Sequence, residues 1–258
     1  MIPKKIHYTW FSNEPYPATI KRCIQSWQKL MPDYEFIHWD MNRIANIDSQ
    51  FLQEAIKEKK WAFAADFVRL WALYNEGGIY LDTDVVCYKS FDNLLNDRCF
   101  IGKENSVHIN GRMTEQYLTS HCMGAETGHP FMKACLDYYE GRHFVTSTNK
   151  MLPSTLRLSM TLLPFIQSEI AKLWDYCPYP SQNNTQNLSD GLVIYPKEYF
   201  DCFKQQDSSY CKHLALGSWR DSRSKDEKIT LWYKIRWRME YILAYTLGKC
   251  GYILTKKM

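Results

Sequence analysis

The chain has 258 residues, a formal net charge of +4, 45% apolar side chains and 23% charged ones. That length suits one large α/β domain with at most a small appendage, and the balance of side chains excludes a disordered chain and a repeat array. Nine cysteines are scattered without a C-x-x-C pair or zinc spacing, which excludes a zinc module and fits reduced thiols in a cytosol.

Ile6, Tyr8 and Trp10 alternate with His7 and Thr9 as a short strand, and Ile20, Ile24, Trp27 and Met31 then recur at helical spacing until Pro32 stops them. Tyr34 to Trp39 is a second strand pattern, so the opening is strand, helix, strand, the unit from which parallel sheets are built. From Trp61 to Glu76 the set Phe63, Phe67, Leu70 and Tyr74 marks one face of a helix, with Gly77 placed to cap it. Ile79 to Val86 then reads as one buried strand that carries Asp82 and Asp84. Weaker signals give a strand at Cys99 to Gly102, helices at Pro130 to Tyr139 and Met160 to Leu173, a turn-rich loop at Pro178 to Leu188 and a strand at Leu192 to Tyr195. No signal-peptide core opens the chain, and the apolar stretch Tyr241 to Leu254 is broken by Lys249, so neither secretion nor a membrane-spanning helix is expected.

The chemistry concentrates at Asp82 and Asp84. In an extended strand, residues two apart point to one side, so both carboxylates can serve one ligand. Hard oxygen donors suit Mg²⁺ or Mn²⁺, which can bridge the two phosphates of a nucleotide-sugar and neutralise the leaving diphosphate. Asp-x-Asp alone is a common chance pattern, and an ordinary strand-end turn explains it equally well. Its context gives it weight: a Gly-Gly break precedes it, as does a helix with Asp66 and Arg69 three apart.

The runs Ala64-Ala65-Asp66-Phe67-Val68-Arg69 and Glu76-Gly77-Gly78-Ile79-Tyr80-Leu81-Asp82-Thr83-Asp84 resemble glycosyltransferase family 32, which includes initiating mannosyltransferases and bacterial capsular polysaccharide glycosyltransferases. Ile2 to Phe11 and His213 to Trp219 are similar to that family's first strand and closing loop, and His121 to Pro130 to its second shared stretch. The resemblance implies a GT-A nucleotide-diphospho-sugar transferase fold, α/β with a Rossmann-like central sheet, over residues 1–220. It implies transfer of a hexose, with retention, from a nucleotide-diphosphate sugar, UDP-linked in preference to GDP-linked, to a glycan or lipid-linked acceptor in surface polysaccharide synthesis. By the same resemblance Trp10 stacks on the base, Asp66 and Arg69 grip ribose or sugar, Tyr80 lines the nucleotide pocket, Asp82 meets hydroxyls, and Ser218 with Trp219 closes over the diphosphate. Asp84 binds the metal directly, with His213 as an additional ligand weighed against a plain surface histidine. Asp82, Asp84 and Arg69 form the catalytic set. For His7 a hydrogen-bonded strand histidine is the preferred reading, and Glu126 and Asp190 are spare acids with nothing to bring them to the sugar.

Residues 221–258 carry nine basic side chains against four acids. A basic helical tail of this kind either packs on the core with a solvated charged side or lies on an anionic membrane. Nucleic-acid binding lacks any recognisable module. The sequence therefore points to a cytoplasmic enzyme, and to the inner face of the cell membrane only in the case that the tail lies on a membrane. The alternatives are a noncatalytic nucleotide-sugar or glycan-binding protein and a metal-dependent nucleotide-diphosphate hydrolase.

Overall fold

The computed structural model describes residues 1–104, 107–109, 112–152, 154–202 and 204–217. In chain order it contains β1 (Lys5–Thr9), α1 (Ala18–Leu30), β2 (Glu35–Trp39), α2 (Met41–Ile44), α3 (Gln50–Lys57), α4 (Trp61–Glu76), β3 (Gly78–Leu81) and β4 (Val85–Cys87). There follow β5 (Cys99–Lys103), β6 (Val107–Ile109), β7 (Arg112–Glu115), β8 (Leu118–Ala125), α5 (Pro130–Asp137), α6 (Ser154–Arg157), α7 (Leu163–Ala171), β9 (Gln186–Asn187), β10 (Leu192–Tyr195) and β11 (Cys211–His213). The chain divides into two units. One comprises residues 1–48, 65–138 and 163–216, and the other 49–64 and 139–162 with 217–258.

The first unit holds a seven-stranded sheet in the order β2-β1-β3-β8-β5-β10-β9. β1 runs parallel to β2 and β3, and β10 parallel to β5, while β8 is antiparallel to both β3 and β5. This is a mixed α/β sheet, parallel at its β2-β1-β3 side and antiparallel around β8. Because β8 runs against its neighbours, its first residues lie beside the carboxyl end of β3, where ligands bind in open α/β sheets. Its last residues lie at the opposite edge, where Glu126 accepts from Arg98 at 2.6 Å and faces the N-terminal amine.

The expected strand from Ile79 to Val86 is interrupted. β3 ends at Leu81, the Val85 N–H turns back to the Asp82 carbonyl at 3.0 Å, and β4 leaves the main sheet to pair with β11. The two aspartates therefore sit in a tight turn, not on one side of a continuous strand. Helix α1 holds this turn from below. The fully buried Trp27 indole donates to the Val85 carbonyl at 2.7 Å, and Ser26 Oγ accepts from the Cys87 N–H at 3.0 Å. An orphaned buried carbonyl or N–H would cost about 1–3 kcal/mol, so each contact stabilises the turn as well as placing it.

The start of β3 needs glycine. Gly78 has φ +113°, and a Cβ there would lie 2.9 Å from both Cβ and the carbonyl oxygen of Lys5. Near the end of β8, Gly124 leaves room for the Phe100 ring, which a Cβ would meet at 2.4 Å. Phe91, Phe100, Phe200 and Tyr210 stack beneath the sheet with ring centroids 5.5–6.3 Å apart. His7 behaves as a strand histidine. Its Nδ1 accepts from Trp39 Nε1 at 3.0 Å, so Nε2 carries the proton and donates to the Gly77 carbonyl at 2.7 Å.

In the second unit Phe51 of α3 meets Tyr139 and Phe144 edge-on at 4.6 and 5.3 Å, and Phe63 adds to Phe144. Glu54 accepts the Val145 N–H at 2.9 Å and pairs with His143, while Arg157 pairs with Glu58. Among the described residues no helix is long and apolar enough to cross a membrane.

Candidate active site

Arg69, on the inward face of α4, is 4% exposed. A buried guanidinium must find acceptors for its N–H groups, since an unpaired buried charge is costly. Its Nε donates to the Ala65 carbonyl at 3.2 Å and its Nη1 to the Ser120 carbonyl of β8. Nη2 lies 3.2 Å from Asp66 Oδ1 and 3.3 Å from Asp82 Oδ1. The cation also stacks over the Tyr80 ring at 4.6 Å. Tyr80 in turn donates its hydroxyl proton to Asp82 Oδ1 at 3.0 Å, which makes Thr9 Oγ1, 3.0 Å away, the donor to Tyr80. Thus four elements, β1, α4, β3 and β8, fix one carboxylate.

Asp66 is 7% exposed, and its burial pushes the carboxyl up to about 7. Arg69 opposes that rise and the nearby Asp82 adds to it. Burial likewise raises the Tyr80 phenol well above its ordinary value, with Arg69 opposing, so it stays a donor to Asp82.

On the other side of the turn, His213 of β11 brings Nε2 to 3.1 Å from Asp84 Oδ1. The second Asp84 oxygen accepts the Leu216 N–H at 2.9 Å. Burial works to raise the Asp84 carboxyl, but the His213 bond and charge and the Leu216 N–H carry it below the usual carboxylate range. For His213 burial lowers the imidazole, yet Asp84 and the charges of Asp82 and Asp201 bring it above its ordinary value.

One ligand atom each from Asp82, Asp84 and His213 lies within 4.8 Å of the others. Two carboxylate oxygens and an imidazole nitrogen form a donor set that fits a divalent cation of the Mg²⁺ or Mn²⁺ kind. His213 thus stands beside the acidic pair and not apart from it.

Trp10 follows Thr9 directly and is half-buried, its indole donating to the Glu14 carbonyl at 3.2 Å and meeting Tyr16 edge-on at 5.2 Å. Ser218 and Trp219, and the tail from 221 to 258, lie outside the described residues. Glu126 and Asp190 do not join the group. Glu126 is engaged at the far edge of β8, and Asp190 accepts from Trp174 Nε1 at 3.0 Å in a left-handed turn.

Three residues join the site's electrostatics without having been singled out for it. His121 of β8 stacks on His213 with centroids 4.5 Å apart and donates to the Phe200 carbonyl. Its burial, then the neighbouring His213, lower it to about 4, so it is a neutral wall to the metal ligand. Burial pushes Glu104, just beyond β5, up to about 8, with Asp201 adding to the rise and His213 opposing it. The signal for His121 lay in the His121-to-Pro130 stretch, whose remainder is punctuation: Gly128 has φ +75°, and Pro130 opens α5. Glu104 and Asp201 had none, being far apart in sequence.

Residues 17–101 match the family model described as a glycosyltransferase sugar-binding region containing a DXD motif. Inositol phosphoceramide mannosyltransferase 2 of Schizosaccharomyces pombe is 28% identical over 100% of this chain and 68% of its own length. Inositol phosphoceramide mannosyltransferase 3 of the same organism is 34% identical over 51% of this chain and 35% of its own length. The chain thus spans about a third to two thirds of the length of these curated relatives. A solved structure described as PaToxG glycosyltransferase covers 67% of this chain and 69% of that one at 18% identity with a TM-score of 0.44, a likeness too loose to carry an argument. The Asp82-Thr83-Asp84 turn lies inside the region that matches this family model.

Proposed function

We propose that this protein is a metal-dependent, retaining hexosyltransferase that moves a sugar from a nucleoside-diphosphate donor to the polar head of a lipid at a membrane face. The observation that carries the reading is the convergence of Asp82, Asp84 and His213 within 4.8 Å beside the buried Arg69 cluster. When bound, a Mg²⁺ or Mn²⁺ ion supplies charge neutralisation for the leaving diphosphate. The chain's own residues prepare the place. Tyr80, Thr9 and Arg69 fix the Asp82 carboxylate in advance, so that little reorganisation is needed when charge develops. Arg69, with its N–H groups aimed inward, acts on the donor through Asp82. Trp10 offers a half-buried ring face for a base.

The names of the relatives favour a mannosyl group and an inositol-phosphate-bearing sphingolipid acceptor over the capsular polysaccharide suggested by the resemblance. The donor base, uridine on that resemblance, is one arm of the test. The protein is incubated with Mn²⁺ and UDP- or GDP-sugars, with and without inositol phosphoceramide in micelles, and nucleoside diphosphate release is measured beside Asp84→Ala. Acceptor-dependent release from one donor, lost in the variant, supports the reading. Release indifferent to acceptor identifies a hydrolase. Donor binding without release identifies a noncatalytic binding protein.

A further inference from the structure

In the second unit the chain departs at Thr146 and returns at Arg157, whose carbonyl accepts the Thr146 and Ser147 N–H groups at 2.8 and 3.3 Å. Below this neck Val145 and Leu158 form an antiparallel bridge. At the apex the Leu152 N–H donates to the Asn149 carbonyl at 3.0 Å and the Met151 N–H to Asn149 Oδ1 at 3.0 Å. The loop is thus closed and internally bonded, yet it points its apolar side chains outward: Met151 is 91% exposed, Leu156 42% and Leu152 36%. Neck residues Phe144 and Leu158 are buried, so the unit has a core and these three side chains are left out of it.

The surroundings are cationic. Glu58 is held below the usual carboxylate range first by its bond to Arg157, then by the charges of Arg157, Lys150 and Lys60, against the opposing effect of its burial. One carboxylate thus faces three cations, and Lys57 and Lys59 beside it are exposed. Residues 49–64 and 139–162 carry six basic side chains against three acids. Exposed apolar groups at a loop apex cost free energy in water and gain it in an acyl-chain boundary, while lysines beside them are attracted to anionic headgroups.

We propose that the loop bearing Met151, Leu152 and Leu156 is a docking surface for an anionic phospholipid bilayer, its apex entering the headgroup boundary and Lys150 with Lys57, Lys59 and Lys60 facing the lipid phosphates. The proposal uses none of the residues of the acidic site and does not depend on which donor or acceptor that site takes.

The test is cosedimentation of the full chain with vesicles of phosphatidylcholine alone, or of three parts phosphatidylcholine to one part phosphatidylserine. Wild type pellets with the anionic vesicles and much less with the neutral ones. In the double variant Met151→Asp, Leu152→Asp the apparent affinity for anionic vesicles falls about tenfold or more. Lys150→Ala lowers it roughly fivefold, and circular dichroism confirms folding, since all three side chains lie outside the core. Failure of wild type to bind either vesicle overturns the proposal. So does a double variant that binds like wild type, because binding would then reside elsewhere. No donor or acceptor enters the assay, so its failure is distinguishable from failure of the transferase reading.

Discussion

Asp82 and Asp84 lie two residues apart and are held in contrasting ways. Asp82 is gripped by Arg69 and Tyr80, both within the preceding α4 and β3 and both buried. Asp84 is held by His213 and by the Leu216 N–H, 132 residues downstream. The Asp82 flank is therefore part of the folded core of the sheet, whereas the Asp84 flank exists only when a three-residue strand, β11, pairs with β4. Half of this site is scaffold and half is closure.

The largest expected effect breaks the scaffold half. Arg69→Ala leaves the buried Asp66 and the partly buried Asp82 side by side without their cation and should cost about 3–5 kcal/mol in urea unfolding. A loss under about 1 kcal/mol would erase the contrast. Asp84→Asn should leave stability nearly intact while lowering donor turnover about 10²–10³-fold, measured as nucleoside diphosphate release. His213→Ala should weaken Mn²⁺ binding about 10–100-fold by calorimetry, again with little change in unfolding. If it instead unfolds the protein, β11 is scaffold too. Tyr80→Phe removes one hydrogen bond to Asp82 and should cost about 1 kcal/mol.

A separate effect is in pH dependence. The Asp66 carboxyl stands at about 7 against an ordinary 3.8, because of burial first. Between those values the folded chain keeps a proton that the unfolded chain has lost, so this group's contribution falls as pH rises through that window and is fully lost above it. Measured against Asp66→Asn, wild-type stability should decline over the same range. A flat difference would show that Asp66 is solvated.

The scaffold half was the legible one. α4 and β3 announce themselves by helical spacing, a glycine stop and a run of β-branched and aromatic residues, and the acidic pair follows in the same stretch. The turn that splits the expected strand was not legible, because Val85 and Val86 favour extended backbone wherever they lie and only the Trp27 and Ser26 contacts reveal where β4 goes. β8 was missed as the sheet's central antiparallel strand. Its Ser120, His121 and Gly124 break any apolar run, and the reason for each lies across the sheet, in Arg69, His213 and Phe100. His213 came into view only by family resemblance, since spacing alone relates nothing at 213 to anything at 84.

The register that sets Val85 opposite His213 has a thermodynamic corollary. A cation shared by the DXD turn and β11 would be a reversible cross-link between early and late parts of the chain, absent from the unfolded ensemble. Its concentration would then enter the folding equilibrium directly, adding about 1.4 kcal/mol for each tenfold excess over its dissociation constant. Melting temperature would become a titration curve for the ion, readable without any sugar.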